Sequence, residues 1–196
     1  MKISRDVRRI LLESVLIVFS ILLSLGLEAW WQGRREAARV EEARAAFKLE
    51  IRSNLELLRD ERYHPYHREM WQAFREAGRI AAPTEADLEE VYNRFPNGVW
   101  PTPFRDAVWR SLSNTDLMGG LPFEELFLIA DIYREQASVN SWHERMFDVW
   151  SEARSDRNEP AFIKDDIERT RTYLADVVAG EERLLESYQA ALEQLQ

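Results

Sequence analysis

The sequence predicts an all-α protein: a single N-terminal transmembrane helix continuing into a stalk, followed by a soluble helical bundle with a long C-terminal helix. Three observations predict it. Residues Ile10 to Trp31, ILLESVLIVFSILLSLGLEAWW, form one apolar run. Beyond it, apolar residues recur at three- and four-residue spacings, the helical period. The alternation expected of strands appears nowhere over a useful length. The implied organisation is a tail over 1–9, a transmembrane helix over 10–31, a juxtamembrane stalk helix over 32–62 and a helical bundle over 63–196 that packs on the stalk.

At about 1.5 Å per residue the apolar run spans roughly 33 Å, enough for a hydrocarbon core of about 30 Å. Its centre, Val15 to Leu27, contains only Ser20, Ser24 and Gly26 as non-hydrophobic residues. Trp30 and Trp31 close it, where an aromatic belt meets the headgroups, and act as the interfacial anchor. A cleaved signal peptide is the first alternative, because Lys2, Arg5, Arg8 and Arg9 supply a basic start. The exit, however, reads Leu27-Glu28-Ala29 and lacks a small-x-small cleavage site, which favours an uncleaved signal anchor. A buried core helix is the second alternative; it would have to be covered on every side.

Glu13 and Glu28 interrupt the run one turn from each end. They are 15 residues apart in sequence, so at about 100° per residue their directions differ by about 60°. Ser20 and Ser24 form a small-xxx-small pair. Glu13, Ser20, Ser24 and Glu28 are therefore the candidate membrane helix–helix contact. The competing reading has both acids snorkelling or protonated at the interfaces. Flanking Lys/Arg nearly balance, but long domains translocate largely regardless of charge. The expected topology is a cytoplasmic N-terminus with a periplasmic or extracytoplasmic C-terminal domain, in a bacterial inner membrane.

The tail and span carry a net charge of +1, so the remaining 165 residues hold −10 of the chain's −9. An acidic domain disfavours nucleic acid and flat association with anionic lipid. The chain has no cysteine, which excludes thiol catalysis, disulfides and cysteine-based zinc sites. Trp71, Trp100, Trp109, Trp142 and Trp150 indicate aromatic packing beyond the span.

Gly33 is the only Gly or Pro between the span and Pro65. Val40, Phe47, Ile51, Leu55 and Leu58 then mark one stripe of an amphipathic helix, and the span can continue as a single rod to about Glu61, where Pro65 breaks it. A second helix is expected over His67 to Ile80. Thr84-Glu85-Ala86-Asp87 reads as a capping box opening a short helix to Phe95. The segment PNGVWPTPF is loop. Phe104 to Leu112 is helical, Asn114 to Gly120 a turn, and Pro122 suits the first turn of a long core helix. The last helix starts near Glu159-Pro160. Its apolar seam, Leu174, Val178, Leu185, Tyr188, Leu192 and Leu195, is close to a coiled-coil heptad, weakened mid-way by Gly180. The stalk and C-terminal helices are expected to be antiparallel neighbours.

Chemistry-bearing patterns are few. The cluster YHPYHREM places His64 and His67 three apart with Glu69 nearby; the chain's other histidine is His143. An H-x-x-H pair lacks the three or four ligands a metal needs, so the expectation is a helix-start turn with exposed imidazoles, no metal site and no cofactor. The acid pairs Glu41-Glu42, Glu89-Glu90, Asp165-Asp166 and Glu181-Glu182 lie in charged helical stretches and read as solvated faces. Gly119-Gly120 reads as a helix stop. No nucleotide-binding, serine-hydrolase or zinc-protease signature is present, and no catalytic residue is expected.

Two stretches, LIVFSILLSLGLEAWWQGRREAARVEEARAAFKLEIRSNLELL (Leu16 to Leu58) and DAVWRSLSNTDLMGGLPFEELFLIADIYREQ (Asp106 to Gln136), resemble a large bacterial family of single-pass membrane proteins of unknown function. Glu28, Trp30 and Trp31 match its acidic/Trp exit from the span, though this chain has Ala29-Trp30-Trp31-Gln32 where the family often carries Asn-Trp-Asn-Glu. Trp109, Leu112, Asn114, Thr115, Met118 and Tyr133 match its second pattern. The resemblance implies a membrane-tethered helical domain and supplies no catalytic residues. The leading expectation is a non-enzymatic membrane-anchored interaction or scaffold protein, a homo-oligomer or an accessory subunit of a larger membrane complex. Its partners would be the bilayer and other membrane helices. The alternative is a membrane-tethered sensor or ligand-binding module, with Trp100, Trp109, Trp142 and Trp150 lining a pocket; an enzyme ranks third. The short N-terminal tail offers no cytoplasmic output domain, which weighs against a conventional receptor.

Overall fold

A computed structural model describes residues 5–99, 101–153 and 160–195, with side chains for 13–99, 101–150 and 163–195. The described residues are predominantly helical and contain no strand. The order is α1 (Arg5–Arg59), α2 (His64–Ala77), α3 (Glu85–Arg94), α4 (Ala107–Leu112), a 3-10 turn (Asp116–Gly120), α5 (Phe123–Ala153) and α6 (Pro160–Gln194).

The first helix is one unbroken element of 55 residues. Side chains 13–39 are all exposed, and burial begins at Val40. From there Val40, Ala43, Phe47, Ile51, Leu55 and Leu58 face inward, so the expected stripe is the packed face. The helix ends at Arg59, slightly short of the expected stalk boundary. Just beyond it Asp60 organises a turn, accepting from the Arg62 N–H at 3.0 Å and its Nε at 2.8 Å. Pro65 is therefore not the break; it sits in the first turn of α2, where its missing N–H has no partner to lose. That second helix consequently begins at His64, three residues before the expected start, and ends at Ala77 rather than Ile80.

The capping box forms as expected. Asp87 N–H donates to Thr84 Oγ1 at 3.3 Å, and Thr84 N–H donates to Asp87 Oδ2 at 2.7 Å. The turn that opens the PNGVWPTPF loop requires Gly98, whose φ of +61° belongs to the left-handed region. A Cβ there would lie 2.7 Å from the Trp150 ring.

Helix α6 packs against α5, α2 and α1. Asn54 and Tyr188 both bond Gln136, while further along α1 and into α2 His64 reaches Glu181. Numbers thus rise on one side as they fall on the other, so α1 and α6 run antiparallel. The inward face of α6 is Ile163, Ile167, Thr170, Leu174, Val177, Glu181, Leu184, Tyr188, Ala191 and Leu195, every one buried. These alternate at spacings of 4 and 3 without a skip, a stricter heptad than the apolar residues alone indicated. Leu185 and Leu192, expected on the seam, are only partly buried beside it.

The core has two apolar halves. One gathers Met70, Phe74, Tyr92, Trp150, Ile167 and Leu174 among α2, α3, α5 and α6. The other gathers Phe47, Ile51, Leu58, Ile132, Leu184 and Tyr188 among α1, α5 and α6. Trp142 packs against both. Along α5 and α6 the two halves meet at His143 and Glu181, so a polar layer divides them.

Candidate functional site

That layer brings together all three histidines of the chain. Glu181 Oε1 lies 2.7 Å from His67 Nδ1 and 2.8 Å from His143 Nε2, and Oε2 lies 3.2 Å from His64 Nδ1. Helix α2 contributes His64 and His67 on its first turn, α5 contributes His143 from its middle, and α6 contributes Glu181. The expectation of exposed imidazoles is corrected: His67 and His143 have no exposed surface, and only His64, at 12%, touches solvent. The expectation that Glu181-Glu182 is a solvated pair is corrected too. Glu181 is fully buried, and Glu182 alone faces water. Glu69, placed near the histidines by sequence, instead pairs with Arg94 at 2.6 Å on the surface.

Burial by itself would push the Glu181 carboxyl up, because the charged form loses its water. The hydrogen bonds from His143, His64 and His67 outweigh that effect and hold it well below the usual carboxylate range. For His143 the balance is reversed: burial pushes the imidazole down, against the upward pull of Glu181. Thr102 N–H donates to His143 Nδ1 at 3.3 Å, which puts the ring's proton on Nε2, facing Glu181. No Lys or Arg among the described residues pairs with this carboxylate. Two neighbouring groups are buried without a hydrogen-bond partner, His67 Nε2 and Thr102 Oγ1.

A second polar group lies within the α1 half of the core. Tyr133 O–H donates to Glu50 Oε1, and Val108 N–H donates to Glu50 Oε2 at 3.0 Å. Asn54 brackets Arg105, accepting from its N–H at 2.8 Å and donating to its carbonyl at 2.7 Å. Gln136 Oε1 accepts from Asn54 and from Tyr188 O–H, at 3.1 and 2.7 Å. These side chains satisfy backbone groups of Arg105 and Val108, where the loop enters α4. All their polar atoms are engaged with one another or with that backbone, so this group is structural.

The candidate helix–helix contact residues on α1 are all exposed. Ser20 Oγ donates to the Leu16 carbonyl at 2.8 Å and Ser24 Oγ to the Ser20 carbonyl at 2.9 Å. Glu28 accepts from Gln32 Nε2 at 3.3 Å. At about 100° per residue, Glu13, Ser20, Ser24 and Glu28 fall within a sector of about 80°. Trp30 and Trp31 are half exposed, in edge contact at 5.8 Å, with the Arg34 guanidinium 5.0 Å from the Trp30 ring.

Of the tryptophans expected to line a pocket, Trp150 fills the core against Tyr92 at 4.6 Å, and Trp109 stacks on Tyr133 at 5.2 Å. Trp142 lies against Gly180, and Trp100 lies outside the described residues. A shallow groove between α2 and α3 is lined by Ala73, Glu76, Ile80, Asp87, Val91 and Arg94, with no aromatic side chain among its lining residues.

No protein-family model, no curated protein and no solved structure matches this chain.

Proposed function

We propose that the protein is a single-pass membrane protein whose helical domain is carried on the extension of its own span and serves as an interaction or scaffold module. The carrying observation is the division of α1. Its apolar stretch is covered by none of the described residues, with an 18-residue window of mean hydropathy 1.8 and none of it buried. From Val40 the same helix becomes core. An exposed apolar surface of that length requires lipid or another apolar surface. The Trp pair at its end and the resemblance to single-pass bacterial proteins support the same reading. So does the narrow sector holding Glu13, Ser20, Ser24 and Glu28, which gives the span one distinctive side for a second membrane helix, from another copy or from a larger complex. The favoured topology puts the helical domain outside the cytoplasm.

Cell fractionation tests the anchorage. The full chain should sediment with membranes, resist extraction by alkaline carbonate and dissolve in mild detergent. Release by carbonate, or a monodisperse monomer without detergent, would refute it. Crosslinking in native membranes tests the interaction role, which a strictly monomeric particle with no crosslinked neighbour would exclude.

A sensor or ligand-binding module is the second reading. The buried imidazole–carboxylate layer is what favours it.

A further inference from the structure

We infer that His64, His67, His143 and Glu181 form a binding site for one divalent transition-metal ion of the zinc class, bridging α2, α5 and α6. The inference stands apart from membrane anchorage and concerns only the helical domain.

The first ground is ligand chemistry. Three imidazole nitrogens and one carboxylate are the donor set that suits zinc and its neighbours, which favour nitrogen and accept one hard oxygen. The donor atoms of His67, His143 and Glu181 all lie within 4.8 Å of one another. His64, whose Nδ1 lies 3.2 Å from the other Glu181 oxygen, is the nearest further nitrogen and would swing in as the fourth ligand a tetrahedral site needs. The ligands come from positions far apart in sequence, yet they include every histidine the chain possesses.

The second ground is charge. Glu181 is fully buried, and its partners among the described residues are three imidazoles, with no Lys or Arg. A buried carboxyl group needs a compensating partner, and a divalent cation held between these donors would supply one.

The third ground is fit. Donor atoms about 2.0–2.1 Å from a tetrahedral centre lie roughly 3.3 Å apart. The contacts of Glu181 Oε1 with His67 and His143, at 2.7 and 2.8 Å, are shorter by about half an ångström, and that of Oε2 with His64 is 3.2 Å. Small side-chain movements open the set. Bonded to Glu181, His67 carries its proton on Nδ1; a metal at Nδ1 would shift that proton to Nε2, which no described group bonds. His143 must move its proton from Nε2 to Nδ1. Thr102, which faces Nδ1 through its N–H, also carries a buried hydroxyl with a free acceptor position. His64, the one member in contact with solvent, marks the entry side.

The test uses the full chain in mild detergent, stripped with a chelator and dialysed. Zn²⁺ titrated alone by calorimetry should bind saturably at one ion per chain. Co²⁺ should give the intense visible bands of a tetrahedral nitrogen/oxygen site. Glu181→Gln and His143→Gln should each weaken Zn²⁺ binding by at least about 100-fold, more than the loss of an outer-shell group causes. Should either variant lose its helical circular dichroism, His64→Gln provides the decisive comparison: its ligand lies at the edge of the core, and its loss should weaken binding at least about 10-fold with helicity intact. A folded wild-type chain that binds neither ion saturably would overturn the inference. So would binding that His64→Gln leaves unchanged, or a Co²⁺ spectrum of the weak six-coordinate kind. Membrane sedimentation of the same samples reports separately on anchorage, so the two readings can fail independently.

Discussion

Replacing Gly180 by Ala should destabilise the protein, and the same change should become stabilising once Trp142 is removed. Gly180 is buried in the middle of α6, where a glycine costs about 1 kcal/mol relative to alanine on helix propensity. Propensity alone therefore predicts a gain. A Cβ at this position, however, would sit 2.1 Å from Cζ3 and 2.6 Å from Cε3 of the Trp142 ring. Carbon atoms pack at about 3.5–4.0 Å. Trp142 is wedged between both halves of the core, with the Arg183 guanidinium 5.6 Å from its ring, so it cannot withdraw without disturbing other contacts. Overpacking of this kind costs about 1–3 kcal/mol, and so deep an overlap belongs at the upper end. The expected net effect of Gly180→Ala is a loss of about 1–2 kcal/mol. In a Trp142→Ala background the obstruction is gone, and the same substitution should gain up to about 1 kcal/mol. A double-mutant cycle, followed by far-UV circular dichroism under denaturant at fixed detergent concentration, measures both signs. A stabilising Gly180→Ala in the wild-type chain, or an equal loss in both backgrounds, would refute the steric account.

Two further outcomes follow from the buried groups. Burial pushes the Tyr133 and Tyr188 phenols far above their ordinary value of 10.0. Their contribution is therefore complete below pH 10 and is lost as the pH rises and only the unfolded chain ionises. The double change Tyr133→Phe with Tyr188→Phe should flatten the alkaline limb of a stability–pH profile by about 2.7 kcal/mol per pH unit, and an unaltered slope would contradict it. Gly98→Ala combines a left-handed backbone with a collision against Trp150, and should lose about 2–5 kcal/mol in thermal or denaturant unfolding; a loss under 1 kcal/mol would show that the loop relaxes freely.

Much of the helical architecture was legible because it rests on local signals. The stripe from Val40 to Leu58 obeys the helical period, Thr84 and Asp87 satisfy each other within one turn, and Pro122 immediately precedes the long α5. The polar layer was not legible, for a definite reason. The seam expected along α6 passes from Val178 to Leu185, a gap of seven that skips Leu184 and Glu181, because Glu181 resembles any solvated acid. Its burial depends on imidazoles at 64, 67 and 143, and no local pattern reports them. One signal was available. The strict 4-3 alternation through Thr170, Leu174, Val177, Leu184 and Tyr188 places Glu181 on the inward face. An acid at a heptad core position demands a partner, and histidines were the scarce candidates. Glu50 and Asn54 were hidden in the same way, as polar residues on an otherwise apolar face of α1.

The unbroken course of α1 also sets a rotational phase between its exposed apolar half and the domain. The helix runs unbroken through Gly33 from Trp31 to Val40, so a turn of one end about the long axis is delivered to the other. Each residue inserted between Arg35 and Arg39 would rotate the domain by about 100° and lift it by about 1.5 Å. Seven inserted residues would nearly restore the heading, whereas two would reverse the side on which Ser20 and Ser24 lie relative to α6. If the span docks on a neighbouring helix, the length of this connection, as much as its composition, determines which face of the domain that neighbour meets.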